Sequence, residues 1–408
     1  MSFFLRQPVD FQRHNEEVRR VMAAFDSRKP YRVPVWIVGS ITNYLLNPAL
    51  NVNGWSFRDY FENPEIHVKA QLEYQKWQKF NLVCDGTAVG GGTPVMEMGV
   101  PERGWPLLVD FQNSYDEGWM DCELRYFDGG VPDTIGLLQE HKERLYDLPK
   151  PLSPTHGLLG RALEFYEYMH EACERLEYEG KPVIPPARIL GEYNDGPLDL
   201  AYKLRGAGNL LLDMMTDPGY YHDLMDYVTT SFIHRMKKLR ELRWSKLPDS
   251  PDRGVYREPN FPFADDALAL ISLAHYKEFV YPYHKRILDE FSDGTGVRIH
   301  LCGDATRHFK FLKDMFNVTS FDTGFPVDHG KLREELGTEV LIQGGPTVML
   351  LKDGGEPEIA REVKRICESG VMNGGRFIMI AANNLAPCTP LEHIQALYEA
   401  TKRYGMYM

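Results

Sequence analysis

The chain has 408 residues, of which 43% are hydrophobic, and its formal net charge at pH 7 is -12. This length and composition provide a substantial core and suit one large α/β domain or two ordinary ones. The acidic balance argues against a nucleic-acid or anionic-membrane surface, because phosphate binding requires a clear excess of Lys and Arg on one face. A small ligand or a protein partner fits the composition better.

The sequence carries no pattern of export or of membrane insertion. No apolar run approaches the roughly 20 residues of a membrane span, and residues 1–20 lack the hydrophobic core of a signal peptide. The six cysteines are scattered without CxxC pairs, which favours free thiols over a disulfide framework. We therefore expect a cytoplasmic protein, and the oligomeric state, a homodimer included, stays open.

Short apolar runs alternate with helical patterns along most of the chain. Eight runs predict strands, at residues 33–39, 80–86, 182–191, 261–268, 297–302, 318–324, 339–345 and 376–384. Longer segments between them have helical spacing, for example residues 218–244 and 273–291. A further predicted helix has Pro357 at its start and Gly370 past its end, as helix punctuation requires.

These elements predict an α/β fold built on a parallel sheet. Continuous apolar runs suit strands that are buried on both faces, and eight of them with crossover helices favour a (β/α)8 TIM barrel over an open doubly wound sheet. We predict one barrel domain over residues 1–408, with an N-terminal helical segment at 1–30. Residues 87–150 are rich in Gly, Pro and aromatics, and predict a hairpin insertion after the second strand, at the barrel mouth.

Polar residues end most of the predicted strands, where a TIM barrel builds its active site. They are Asp85; Glu192, Tyr193, Asn194 and Asp195; Asp265 and Asp266; His300 and Cys302; Asp322; and Asn383 and Asn384. Each has a structural alternative, such as a turn residue at Asp85 or a helix cap at Asp266. Their convergence at one level of the barrel predicts a polar catalytic pocket.

The pair His300-x-Cys302 predicts a metal site. Residues i and i+2 point to the same side of a strand, so the imidazole and the thiolate can reach one ion, and zinc suits this mixed N/S pair. Two core residues on a buried strand remain the alternative, since cysteine is often buried. A third ligand has to come from elsewhere: Cys388 beyond the last strand and Asp322 on the neighbouring strand are the candidates.

From about residue 197 to the end, the sequence resembles the uroporphyrinogen decarboxylase superfamily, which includes zinc-dependent, corrinoid-linked methyltransferases. The motifs that carry the resemblance are "FADDALALISLAHYKEFVYPYHKRILDEF", "IHLCGD", "IQGGPTVMLLKDGG" and "TPLEHIQALYEATKRYG". The resemblance implies a TIM barrel of the uroporphyrinogen decarboxylase type, independently of the strand count.

Two branches of that superfamily can be compared with this sequence. The decarboxylases carry arginines after the first strand for a substrate with many carboxylates, whereas "GSITNYLLNPALN" has none, although Asp85 matches their catalytic aspartate. The HxCG signature of this sequence resembles that of the methyltransferases. The resemblance implies that His300, Cys302 and a later cysteine bind zinc. The usual position of that cysteine falls near Asn383, and Cys388 lies five residues later.

By this resemblance we expect a methyltransferase of one-carbon metabolism. It would move a methyl group from a small methylated substrate, for example by O-demethylation of an aromatic methyl ether, to a corrinoid (cobalamin). The chain has no DxHxxG motif, so a corrinoid-binding partner protein would carry that cofactor. The alternative is a decarboxylase or lyase of the same fold that acts on a smaller acid through Asp85.

We expect catalytic or substrate-binding roles for the remaining candidate site residues. A carboxyl group that burial keeps neutral would protonate the leaving group. The candidates for this catalytic role are Asp85, Glu192, Asp195, Asp266 and Asp322. Substrate contacts are expected from Trp36, Tyr193, Asn194, Asn383 and Asn384.

Overall fold

Parallel strands and helices alternate through the C-terminal half of the computed structural model, which describes residues 2–88, 96–189 and 195–407. The strands in these residues are β1 Trp36–Val38, β2 Gly86–Ala88, β3 Trp105–Pro106, β4 Glu123–Arg125, β5 Asp133–Ile135, β6 Glu177–Tyr178, β7 Lys181–Ile184, β8 Phe261–Ala264, β9 Val297–Leu301, β10 Val318–Thr323, β11 Leu341–Gly344 and β12 Phe377–Met379.

The α-helices surround these strands. They are α1 Phe11–Asp26, α2 Thr42–Leu45, α3 Phe57–Glu62, α4 Pro64–Asn81, α5 Tyr115–Trp119, α6 Gly157–Cys173, α7 Pro197–Arg205, α8 Ala207–Thr216, α9 Pro218–Lys246, α10 Leu273–His275, α11 Tyr281–Phe291, α12 Thr306–Phe316, α13 His329–Leu336, α14 Val348–Asp353, α15 Glu356–Glu368 and α16 Leu391–Tyr404. A π-helical turn, Tyr276–Val280, joins α10 to α11, and a 3₁₀ turn, Asp266–Leu270, follows β8. The long pattern predicted at 273–291 is therefore one helical run. Among the helices of the described residues, none is both long and apolar enough to span a membrane.

The central sheet is parallel. Strands β8, β9, β10, β11 and β12 pair in that spatial order, and β1 pairs with β2 separately. A parallel bridge between Val35 and Met379 joins the two groups, and Asp195 forms another bridge with Ala264 at the opposite edge. In the part of the chain that the structure describes, β2 pairs with β1 alone, and closure of the predicted barrel stays a prediction.

Six of the eight predicted strands contain a strand of the parallel groups β1–β2 and β8–β12: the first and the last five. The bounds predicted for the strand at 80–86 are wrong, because α4 runs to Asn81 and β2 begins only at Gly86. At 182–191 the observed strand is β7, which pairs with β6 in an antiparallel hairpin. Its turn residues, Glu179 and Gly180, both have positive φ, which suits a tight hairpin.

Residues outside the central sheet form local units. Within 87–150, β4 and β5 form an antiparallel hairpin, while β3 pairs with β7. Helix α15 begins at its predicted position, and the Gly355 amide donates to the Glu358 carboxylate at 3.0 Å in its first turn. The main apolar core lies between the sheet and the helices.

Candidate metal centre at the strand ends

His300 and Asp322 occupy paired positions on neighbouring strands. In β9 the buried residues Val297, Ile299 and Leu301 alternate with more exposed ones, so His300 projects from the other face. Because His300 pairs in register with Asp322, their side chains meet, and Nδ1 of the imidazole lies 2.8 Å from Oδ2 of the carboxylate. A carboxylate that accepts Nδ1–H leaves the Nε2 lone pair free for a metal ion.

Cys302 lies on the Nε2 side of that imidazole. Its Sγ is 3.1 Å from Nε2 of His300, so the two side chains meet as their i, i+2 spacing predicted. Burial is the largest influence on the pKa of the Cys302 thiol and raises it, while the neighbouring His300 acts in the opposite direction. Burial is also the largest single influence on the pKa of His300 and lowers it, but Asp322 and Cys302 together outweigh burial, and the net pKa lies well above the usual value.

Asp266 completes a group of three potential ligands. Its Oδ1 accepts the Cys302 amide at 2.7 Å and lies 3.8 Å from Nε2 of His300. One oxygen, one nitrogen and one sulfur atom, from Asp266, His300 and Cys302, all lie within 4.8 Å of one another. This mixed O/N/S set fits Zn²⁺, and the 42% exposure of the Asp266 side chain leaves room for a further, exchangeable ligand.

Asn383 contacts the same thiol. It follows β12, and its Nδ2 donates to Cys302 Sγ at 3.1 Å. Asn384 is exposed, and its backbone amide donates to Oδ1 of Asn383 at 2.6 Å, which orients the Asn383 amide group. Of the two predicted contact residues after the last strand, only the Asn383 side chain reaches the metal-ligand group.

Cys388 does not join this group. Its backbone has φ of 61°, and its Sγ donates to the Leu46 carbonyl at 3.4 Å. The thiol lines a small cavity with Tyr74, Trp77 and Ile394. The third potential ligand in the structure is thus Asp266, a residue that the sequence analysis assigned to catalysis.

Among the described residues, Asp85 contacts Arg32 and Val35 and is not grouped with His300, Cys302 or Asp322. It precedes β2, is fully buried, and accepts from Arg32 Nη1 and Nη2 at 2.6 and 2.8 Å and from the Val35 amide at 2.8 Å. The prediction that Asp85 ends a strand was wrong, because β2 begins after this residue. A carboxylate held this way inside the protein is suited to a structural role.

Trp36 also lies in the apolar core. It belongs to an apolar cluster with Val18, Met22 and Phe25 of α1 and with Ile378 and Ile380. Its side chain is 9% exposed. The structure does not group it with His300 or Cys302.

Asp195 lies in a network of charged side chains beside β8. Lys203 Nζ donates to Asp195 Oδ2 at 2.9 Å and to Glu117 at 2.7 Å, and Asp116, which forms an ion pair with Arg235, accepts the Asp195 amide. Burial raises the pKa of Asp195 despite the opposing effect of Lys203. The predicted site residues Glu192, Tyr193 and Asn194 lie outside the described residues.

Two buried groups next to the site, Asp199 and His284, were not predicted from the sequence. Asp199 accepts the amides of Asp266 and Ala267, each at 2.7 Å. His284 Nε2 lies 2.7 Å from Asp265 Oδ2. Asp199 lies in the first turn of α7 but accepts amides of a distant segment, which its position in the sequence does not indicate.

Taken together, the fold and the site define a class: parallel α/β proteins with a candidate metal centre at the carboxyl ends of adjacent strands. Residues 263–404, which contain all three potential ligands, match the family model described as Uroporphyrinogen decarboxylase (URO-D). The resemblance to that superfamily is therefore confirmed.

The chain is also similar to methyltransferases from Methanosarcina mazei. It is 29% identical over 230 residues to a methylated-thiol–coenzyme M methyltransferase, a match that covers 56% of this chain and 55% of the relative. The chain thus spans about half the length of the curated relative it matches. A solved structure described as a methyltransferase superposes with a TM-score of 0.60 at 16% identity, covering 95% of this chain and 98% of the other, which shows a shared fold.

Proposed function

We propose that the protein is a cobalamin-dependent methyltransferase, which moves a methyl group from a small methylated substrate to a corrinoid on a partner protein. The grouping of Asp266, His300 and Cys302 at the strand ends carries the proposal. Similarity to a methyltransferase of methylated thiols supports the reaction class. The proposal includes a closed eight-stranded barrel and a cytoplasmic location.

The three ligands and their neighbours would each have a defined task. Asp322 accepts Nδ1–H and so directs Nε2 of His300 toward Cys302. Asn383 donates to Cys302 Sγ, which stabilises a thiolate at that position. A zinc ion held by Asp266, His300 and Cys302 would supply Lewis acidity toward the heteroatom that loses its methyl group.

The donor set favours an oxygen-bound methyl group, as in a methyl ether. A site with two thiolates is soft, whereas Asp266 provides a hard oxygen donor in place of the second thiolate. A harder site suits a leaving phenolate or alkoxide oxygen better than a thiolate. Trp36, which was expected to contact an aromatic substrate, packs against α1 instead.

The leaving oxygen requires a proton. As the methyl group is transferred, the electron pair of its C–O bond stays on oxygen. We assign the proton donor to Asp195, because burial raises the pKa of that carboxyl and Lys203 fixes its position. Glu192 stays a predicted second donor.

Metal analysis of matched cysteine variants tests the proposed centre. Protein purified without chelator should contain about one zinc per chain. Cys302→Ser should lose that zinc, because it removes a ligand. The matched control, Cys388→Ser, should retain it, since Cys388 donates to a backbone carbonyl elsewhere. Zinc-free, folded wild-type protein would refute the metal centre.

The substrate class is tested separately. Methyl transfer to cob(I)alamin should be measured with a methoxyarene, a methylated thiol and a methylamine of similar size. Preference for the methoxyarene supports the assignment to oxygen. Transfer from the methylated thiol alone would contradict that assignment and leave the reaction class intact.

A further inference from the structure

The turn that carries Asp266 is held by the carboxylate of Asp199 on α7. Asp199 Oδ2 accepts the backbone amide of Asp266 at 2.7 Å, and Oδ1 accepts that of Ala267 at 2.7 Å. Asp199 is buried, with 6% of its surface exposed. Two consecutive amides bound by two oxygens of one rigid group fix both the place and the direction of this turn.

Asp265 holds α7 in return. Its Oδ1 accepts the amide of Asp199 at 2.8 Å, and its Oδ2 accepts that of Leu198 at 3.1 Å and lies 2.7 Å from Nε2 of His284. Each carboxylate therefore caps the first turn of the segment that carries the other. The close approach requires glycine at 196, because a Cβ there would lie 2.5 Å from Asp265 Oδ2.

We call the reciprocal contacts of Asp199 and Asp265 the carboxylate clamp. This clamp ends at the candidate metal centre. Asp266 has a 42% exposed side chain, so packing around that side chain does little to hold it. Its position beside Cys302 is set by the backbone to which Asp199 binds and by the hydrogen bond from the Cys302 amide. Burying the two carboxylates of the clamp close together is costly, and a neutral cap would satisfy the same helix ends at lower cost.

We propose that Asp199 is a positioning residue, which holds the Asp266 carboxylate where it can act as a ligand together with His300 and Cys302. This inference rests on the proposed metal centre. It assigns no ligand role to Asp199 itself, whose oxygens are both engaged by amides. Its effect should appear in the affinity and geometry of metal binding.

Cobalt(II) titration of purified, metal-free protein tests this role. Asp199→Asn keeps one acceptor oxygen and replaces the other with an amide donor that faces a backbone N–H. We expect cobalt affinity to fall by about 10- to 100-fold, as for other supports of metal ligands. The thiolate charge-transfer band should persist because Cys302 is untouched, while the d–d bands shift with the displaced oxygen ligand.

A buried carboxylate elsewhere provides the matched control. Asp213 on α8 is 4% exposed, and its polar contacts are with Arg205 Nε at 2.7 Å and with Lys142 Nζ at 3.4 Å, neither of which belongs to the candidate metal centre. Asp213→Asn should lower stability while cobalt affinity and spectrum stay as in the wild type. Asp199→Glu, which keeps both acceptor oxygens on a longer side chain, should give an affinity between those of the wild type and Asp199→Asn.

The outcomes separate the two proposals. If the wild type binds cobalt but Asp199→Asn matches it in affinity and spectrum, the positioning role is refuted and the metal centre stands. If the folded wild type binds no cobalt, both are refuted. Should Asp199→Asn fail to fold, Asp199→Glu decides: wild-type affinity and bands in that variant would refute the role.

Discussion

Asp85 and Asp322 were both predicted to end strands of one barrel, yet the structure gives them opposite environments. Asp85 is fully buried and bound by Arg32 before β2 begins. Asp322 lies within β10, keeps a 28% exposed side chain and contacts His300. The N-terminal pair supports the fold, whereas the C-terminal pair supports the candidate metal centre, so the same residue type serves structure or chemistry according to its partner.

The largest expected effect is at the buried pair. Asp85→Ala leaves the guanidinium of Arg32, which is 2% exposed, without its main partner. We expect the free energy of unfolding in urea to fall by about 3–5 kcal/mol. Cobalt affinity of the folded fraction should not change. A loss below about 1 kcal/mol would show that the pair is not structural.

The opposite result is expected at the candidate centre. Asp322→Asn should weaken cobalt binding by about 10- to 100-fold, because it removes the carboxylate that orients His300. Stability in urea should change little, since the side chain is partly exposed. The exposed Asp304→Asn is the nearby control and should bind normally. Equal affinities in the two variants would contradict the role of Asp322.

His67 in the N-terminal region predicts a pH effect on stability. Its Nδ1 contacts the Tyr60 carbonyl and its Nε2 accepts the Asp110 amide, so the ring must be neutral. Burial lowers its pKa from 6.5 to about 4. Protonation therefore favours the unfolded state. The contribution of neutral His67 to the free energy of unfolding is fully present above about pH 6.5 and is lost as the pH falls toward 4.

By pH 5 this histidine should cost about 2 kcal/mol of unfolding free energy relative to pH 7. His67→Gln, which cannot titrate, should show a correspondingly smaller loss between the two pH values. The measurement is the difference between the two proteins in urea unfolding at pH 7 and pH 5. Parallel pH profiles would exclude His67 as a source of the effect.

The smallest effect is expected at the outer partner of Arg32. Glu17 contacts Arg32 Nη2 at 3.0 Å but has a 25% exposed side chain. Glu17→Gln should cost less than about 1 kcal/mol in urea unfolding, because solvent screens the pair. A loss as large as that of Asp85→Ala would mean that Arg32 depends on both acids equally.

Much of the C-terminal region could be predicted from sequence. Strands β8 to β12 are short runs rich in apolar residues and separated by helices with clear ends, so local pattern and tertiary fold agree there. In the N-terminal region they conflict. The run at 80–86 looks like a strand, but its first residues complete α4, and β7 belongs to a hairpin that local turn chemistry determines.

For the candidate site, the sequence by itself determined that His300 and Cys302 share one side of a strand, because the side-chain period of a strand is two. Only the tertiary structure decided the third potential ligand. Asp266 reaches Cys302 because β8 and β9 are neighbours and Asp199 binds the turn that follows β8. Cys388, the cysteine that the resemblance offered as third ligand, contacts Leu46 instead. The partner of a side chain depends on chain segments distant in sequence, and spacing alone carries no information about which of them meet.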